Sequence, residues 1–108
     1  AEFYQVAPEA QDEVVIKHRY SAFQGTNLDM LLRNQGIETL LLTGVNTNVC
    51  VESTARDGFF LNYYVAMVTD CTACPYDDLY HGTLKNIEMY FGDLVTSRQL
   101  IEIWKSQL

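Results

Sequence analysis

Gly44-Val45-Asn46-Thr47-Asn48-Val49-Cys50-Val51 leads from the apolar run Leu40 to Leu42 into a segment with helical spacing, and it puts a thiol near the helix start. The first turn of a helix leaves backbone N–H groups without intrahelical partners. Those donors and the positive end of the helix dipole stabilise a thiolate, and the same donors can hold the oxyanion formed when a thiolate attacks a carbonyl. Lys17 closes the run Val14-Val15-Ile16, so in a parallel sheet its ammonium lies at the same end as that turn and favours the ionised thiol. Each residue also has a plainer reading. A lone cysteine in an apolar segment is most often a small buried hydrophobe, Lys17 a solvated charge, and Asn46, Thr47 and Asn48 ordinary turn and cap residues. Their coincidence at one end of one strand is what points to nucleophilic chemistry.

The elements that must position these residues can be read along the chain. Val14-Val15-Ile16 predicts a first strand ending at Lys17. Thr26, with Asp29 three residues on, offers a helix cap; Leu28, Leu31, Leu32 and Gln35 have helical spacing, and Gly36 stops the helix. Thr39 to Thr43 is apolar on both faces, which suits a strand covered by helices on each side, and it ends at Gly44. A second helix runs from Asn48, a candidate cap, to about Asn62, with Val51, Ala55, Phe59 and Phe60 as its apolar positions. Tyr63 to Thr69 is a third strand, broken by the polar stretch Asp70 to Pro75. A helix over Asp77 to Tyr90, a short strand over Asp93 to Thr96, and a final helix capped by Ser97 complete the alternation. The pattern predicts an α/β fold with an open, mostly parallel sheet and helices on both faces in three layers, whose ligands bind beyond the carboxyl ends of the strands.

Composition bounds the function classes. The 108 residues suit one domain, and 48% hydrophobic residues with seven Tyr, five Phe and one Trp are enough for a core. Fourteen acidic against seven basic residues, a net charge of −7, repel phosphate backbones and anionic lipid surfaces, which excludes nucleic acid and membrane as expected partners. No apolar run approaches the roughly 20 residues of a membrane span, and no signal-peptide layout opens the chain. Three cysteines do not form a disulfide framework and suit a reducing, cytoplasmic setting.

Other signals are weaker. Cys71-Thr72-Ala73-Cys74 has the spacing of a redox or metal pair, but a redox pair normally opens a helix, and a zinc site needs a second pair of ligands that the sequence lacks. His18 and His81 are too scattered for a metal site. Arg56 and Asp57 are expected to pair on the helix or across an interface. Phe59-Phe60 and Tyr63-Tyr64 read as core first and as an oligomer interface second.

Taken together, Lys17-His18-Arg19-Tyr20-Ser21-Ala22-Phe23 with Thr26 and Leu28, the stretch Gly44 to Gly58, and Asp70 after the next strand resemble the isochorismatase-like cysteine hydrolases. That family includes nicotinamidases, N-carbamoylsarcosine amidases, biuret hydrolases and ureidoacrylate amidohydrolases. The resemblance spans nearly the whole chain and is nearer the ureidoacrylate and biuret branch. It implies an isochorismatase-like fold, a nucleophilic Cys50, the triad lysine at Lys17, an oxyanion hole from the backbone N–H groups of Asn46 and Cys50, a cis peptide at Val45-Asn46, and Phe23 lining the substrate pocket. The implied reaction is attack on a small amide or ureido carbonyl, loss of ammonia or an amine, and hydrolysis of the thioester, with no cofactor.

The family's triad aspartate lies on a strand near the start of a domain of nearly 200 residues, and no residue here takes that place. Asp70, Asp57 and Glu52 are not candidates for it. Glu2 matches a glutamate about midway through such a domain, so residues 1–108 are expected to be its carboxyl-terminal part, an incomplete domain that needs the amino-terminal part and self-associates. Metal ligands, where the family has them, would also fall in that part. Two other readings remain open: a catalytically silent module of the same fold, and a thiol redox protein using Cys71 and Cys74.

Overall fold

The computed structural model describes residues 7–107; Glu2 lies outside them. The first regular element is α1, Leu28–Asn34. Asn27 occupies its cap position, while Thr26 Oγ1 accepts the N–H of Leu28 at 3.3 Å, so the threonine acts one residue further out than its spacing implied. At the other end Ile37 N–H donates to the Leu32 carbonyl and Gly36 N–H to that of Arg33, both at 3.0 Å. These two bonds form a Schellman close, which needs the left-handed backbone that Gly36 supplies with φ of 70°.

Three parallel strands follow in the order β1 (Thr39–Val45), β2 (Tyr64–Ala73) and β3 (Asp93–Val95). Between β1 and β2 lie a π-helical turn, Thr47–Val51, and α2, Glu52–Phe60; α3, Asp77–Asn86, and a second π-helical turn, Ile87–Phe91, join β2 to β3; α4, Ser97–Lys105, closes the chain. Leu40 pairs with Val65 and Leu42 with Met67, so these four side chains share one face. On it Val65 and Met67 pack with Val51 and Ala55 from the α2 side and with Ile87, while Leu40 packs with Phe23 and Tyr63 beside α1. Ala66 and Val68 alternate to the opposite face and are buried there, and α4 packs against β2. The α/β class, the parallel sheet and helices on both faces are thus as the sequence predicts.

Ala55 and Gly58 bring α2 close to the sheet. Ala55 has no accessible surface, and a Cβ at Gly58 would sit 2.9 Å from Leu40 Cδ1. Small residues three apart lie on one helix face, so both meet the sheet together. Met67 and Ile87 are also fully buried, and each such side chain contributes about 1.5–3 kcal/mol through removal from water.

Several expectations are corrected. Val14-Val15-Ile16 forms no strand; it has no ladder among the described residues, and Val14 and Ile16 are exposed. A β-branched run favours extended backbone, but a strand exists only where a neighbour takes its hydrogen bonds. β1 is an edge strand among the described residues, and Leu41 and Val45 are 41% and 65% exposed rather than covered on both sides. β2 does not end at Thr69 but runs to Ala73, because Thr72 and Ala73 pair with Gly44 and Val45 after a register break. The α4 cap is Thr96, not Ser97: Thr96 Oγ1 accepts from Gln99 N–H and Gln99 Oε1 accepts from Thr96 N–H, a complete capping box.

Gly92 allows no side chain, because a Cβ there would overlap the Val65 carbonyl. Gly82, inside α3, has nothing within 4 Å of the same position. Gly92→Ala is expected to lower stability by about 2 kcal/mol or more through forced backbone displacement, and Gly82→Ala to raise it by about 0.5–1 kcal/mol through helix propensity. Urea titration of both variants checks this; equal effects would show that the approach of Gly92 to β2 is not tight.

Candidate active site

β1 passes directly into the turn that carries the thiol. Gly44 has φ of 117°, a region that side-chain-bearing residues rarely enter, and the Val45-Asn46 peptide is cis. The carbonyl of Asn46 then accepts the N–H groups of Val49 and Val51, each at 3.2 Å, which widens the turn into the π-helical form before α2 begins. The N–H of Asn46 has no acceptor among the described residues. Thr47 is fully buried, and its Oγ1 has no hydrogen-bond partner among them either.

Cys50, fourth in this turn, is half-buried. Lys17 Nζ stands 3.8 Å from Cys50 Sγ and donates to the carbonyl of Arg19 at 3.1 Å, so a residue 33 positions away brings its cation to the thiol. A recess of about 310 Å³ opens beside them, bordered by Lys17, Ala22, Leu42, Val45, Cys50 and Thr54 among others. Its described lining carries an amine and a thiol but no carboxylate. This arrangement can place a thiol nucleophile, a cation and a free backbone donor around one small carbonyl.

Phe23 is not in that lining. It is buried in the core, stacked on Tyr63 with ring centroids 5.7 Å apart, and Ala22 borders the recess instead. Both residues lie in a turn, and the bulkier one goes to the core. Tyr63 OH donates to Asp29 Oδ1 at 2.6 Å, and burial followed by that hydrogen bond raises the phenol above its ordinary value.

Thr54 escaped the sequence reading. Its hydroxyl donates to the Cys50 carbonyl at 2.8 Å and accepts the N–H of Ala22 at 3.0 Å. The local signal was its place four residues after Cys50, where a helical threonine can bond back to a carbonyl; the Ala22 contact had no local signal.

The remaining candidates lie elsewhere. Cys71 is exposed on β2, and Cys74 donates to the Tyr76 carbonyl at 3.3 Å; both are free thiols ahead of α3 rather than in its first turn. Among the described residues no three His, Cys, Asp or Glu side chains gather as a metal site. Arg56 pairs with Glu52 rather than Asp57, at 2.7 Å, because residues four apart share a helix face and adjacent ones do not. Asp57 accepts from Gln24 Nε2 at 3.0 Å, and Glu52 also accepts from Thr83. His81 meets the edge of Tyr80 on the surface. Of the aromatic pairs only Tyr63 is core; Phe59, Phe60 and Tyr64 are exposed, and both phenylalanines pack edge-on to Phe91.

A family model described as the isochorismatase domain matches residues 1–99. The ureidoacrylate amidohydrolase of Yersinia enterocolitica is 49% identical over 90 residues, 82% of this chain and 39% of the relative. That of Acinetobacter baylyi is 45% identical over 89 residues, 82% and 36% respectively. Among solved structures, an isochorismatase-like hydrolase from Alkaliphilus metalliredigens superposes with a TM-score of 0.91 at 36% identity, covering 96% of this chain and 57% of that one. N-carbamoylsarcosine amidase from Thermoplasma acidophilum gives 0.74 at 39% identity, covering 82% and 50%. The chain therefore spans less than two fifths of these curated relatives.

Asp70 is tied to the start of α4. Its carboxylate accepts both the N–H and the Oγ of Ser97, the first residue of α4, and these bonds hold it below its ordinary value of 3.8. A depressed carboxylate stabilises the fold above its unfolded value and loses that contribution as pH falls through its folded one. Urea midpoints measured from pH 7 downward should show wild type exceeding Asp70→Asn by a constant margin that shrinks only below about pH 4. A margin that persists unchanged into stronger acid would mean that the carboxylate charge contributes nothing.

Proposed function

The chain belongs to the isochorismatase family, and from that premise we propose that it contributes the nucleophile and its cation to a cysteine-dependent hydrolase of small amide or ureido compounds. The observation that carries the reading is the 3.8 Å approach of Lys17 Nζ to Cys50 Sγ at the mouth of a recess.

The Cys50 thiolate attacks the carbonyl carbon, and the carbonyl electron pair moves to oxygen. The backbone N–H groups of Asn46 and Cys50 receive that oxyanion; the first has no competing acceptor among the described residues. The tetrahedral intermediate collapses with cleavage of the C–N bond, the nitrogen leaves as ammonia or an amine after taking a proton, and a thioester to Cys50 remains. Water adds to the thioester, the C–S bond breaks, and the free carboxylic or carbamic acid departs with the thiol restored.

We assign the base that activates the water to the amino-terminal part of a complete domain, since the described lining of the recess holds no carboxylate. Residues 1–108 are accordingly read as the carboxyl-terminal part of a single domain, active only beside its other part. The ureidoacrylate and N-carbamoylsarcosine named for the relatives favour a substrate with a terminal ureido or carbamoyl group. No helix among the described residues is long and apolar enough to cross a membrane. Three free thiols and a net charge of −7 favour a reducing, cytoplasmic setting and a small-molecule substrate over nucleic acid. The exposed Phe59, Phe60 and Tyr64 favour self-association of the assembled domain.

Iodoacetamide should label Cys50 about tenfold faster than Cys74 at neutral pH, with Lys17→Met removing most of the difference. Peptide mass spectrometry reads all three thiols at once, with exposed Cys71 as the reference for access. In the assembled domain, Cys50→Ala should abolish release of ammonia from ureido compounds. Cys50 labelling no faster than Cys74, both alone and beside the amino-terminal part, would sink the hydrolase reading in favour of a silent module.

A further inference from the structure

Among the described residues no strand ladder locates the segment that carries Lys17. Its ammonium is exposed and reaches Cys50 only if residues 17–22 hold their path. Ala22, between the buried Ser21 and Phe23, ties that path to the nucleophile turn. Its N–H donates to Thr54 Oγ1 at 3.0 Å, and its carbonyl accepts from Thr26 Oγ1 at 2.6 Å. Thr54 Oγ1 in turn donates to the Cys50 carbonyl at 2.8 Å. A single hydroxyl therefore uses its proton on the turn that carries the thiol and a lone pair on the loop that carries the lysine.

We propose that Thr54 is the positioning residue of the Cys50–Lys17 pair, clasping the lysine segment onto the nucleophile turn through Ala22. The inference rests on the reading of Cys50 as nucleophile. Thr54 borders the recess but acts through its two hydrogen bonds rather than on the substrate carbonyl. A second clasp, Gln24 Nε2 to Asp57 Oδ2, joins the same loop to α2 further along the helix and leaves the Cys50 carbonyl untouched.

The test compares Thr54→Val, which removes both hydrogen bonds at nearly constant volume, with Thr54→Ser, which keeps the hydroxyl. In Thr54→Val, Cys50 alkylation by iodoacetamide should slow about tenfold toward the rate of Lys17→Met, while Cys71 and Cys74 keep their rates. Thr54→Ser should restore it. Thr54→Val combined with Lys17→Met should be no slower than Lys17→Met alone, because a residue that acts through the lysine has nothing further to remove. Amide hydrogen exchange over residues 17–22 should be faster in Thr54→Val whether or not Cys50 is reactive. Unchanged exchange there, equal alkylation of Cys50 in the valine variant and wild type, or effects that multiply in the double variant would each overturn the proposal. If wild-type Cys50 reacts no faster than Cys74 both alone and beside the amino-terminal part, the nucleophile reading fails on its own and exchange alone decides the clasp. Thr54→Ala carries the same comparison should the valine variant not fold.

Discussion

A helix that follows a parallel strand can rest on the sheet only as closely as its facing side chains allow, and here that distance is set by Ala55 and Gly58. With no accessible surface at Ala55, and Leu40 Cδ1 filling the space where a Gly58 Cβ would go, α2 lies near the sheet. The turn from Val45 to Val51 must then connect a strand end to a helix start across a short gap. The cis peptide, the positive φ of Gly44 and the π-helical hydrogen bonds to the Asn46 carbonyl are the form that the connection takes. Cys50 is carried on it, so its place over the carboxyl end of β1 follows from the packing of α2.

The cation partner is held by different physics. The Lys17 segment is located by the burial of Phe23 against Tyr63 and by side-chain hydrogen bonds to α2 through Thr54 and Gln24, rather than by a ladder among the described residues. Bonds of that kind contribute about 1 kcal/mol each, less in sum than a packed core face. The thiol thus rides on a packed turn, while the exposed lysine stands several residues ahead of the nearest core contact of its segment, Phe23 against Tyr63.

The two ends of the sheet differ in character. Lys17, Cys50, the Asn46 N–H and the recess gather at the carboxyl end of β1. At the opposite end Phe59, Phe60 and Phe91 meet edge to face, with Arg56 over the Phe91 ring at 4.7 Å. Polar chemistry beyond the carboxyl ends of parallel strands is the general rule for such sheets, because helix N-termini and strand-end loops converge there. The exposed Leu41 and Val45 on the β1 edge and the Thr47 hydroxyl, unpartnered among the described residues, belong to the first end, where the described lining of the recess lacks a carboxylate.

The sequence by itself determined what nearest neighbours decide: the Gly36 helix stop, the apolar strands at Leu40–Leu42 and Val65–Val68, and the strand-to-helix turn with its thiol were all legible, as was the parallel α/β class. Each of these rests on side-chain periodicity or on a backbone region open chiefly to glycine, and both are properties of a few consecutive residues. Tertiary structure alone decided the rest. Val14–Ile16 failed to become a strand because no neighbour among the described residues takes its hydrogen bonds, and β2 ran past Asp70 because Gly44 and Val45 offered partners to Thr72 and Ala73. Phe23 went to the core against Tyr63, Asp70 became an anchor for α4, and Thr54 became the link between Ala22 and Cys50. Where a partner decided the outcome, as Tyr63, Ser97, Ala22 and the end of β1 did, it is at least 27 residues away in the chain. The energy of a hydrogen bond or a packed ring depends on what stands opposite, which local spacing does not encode.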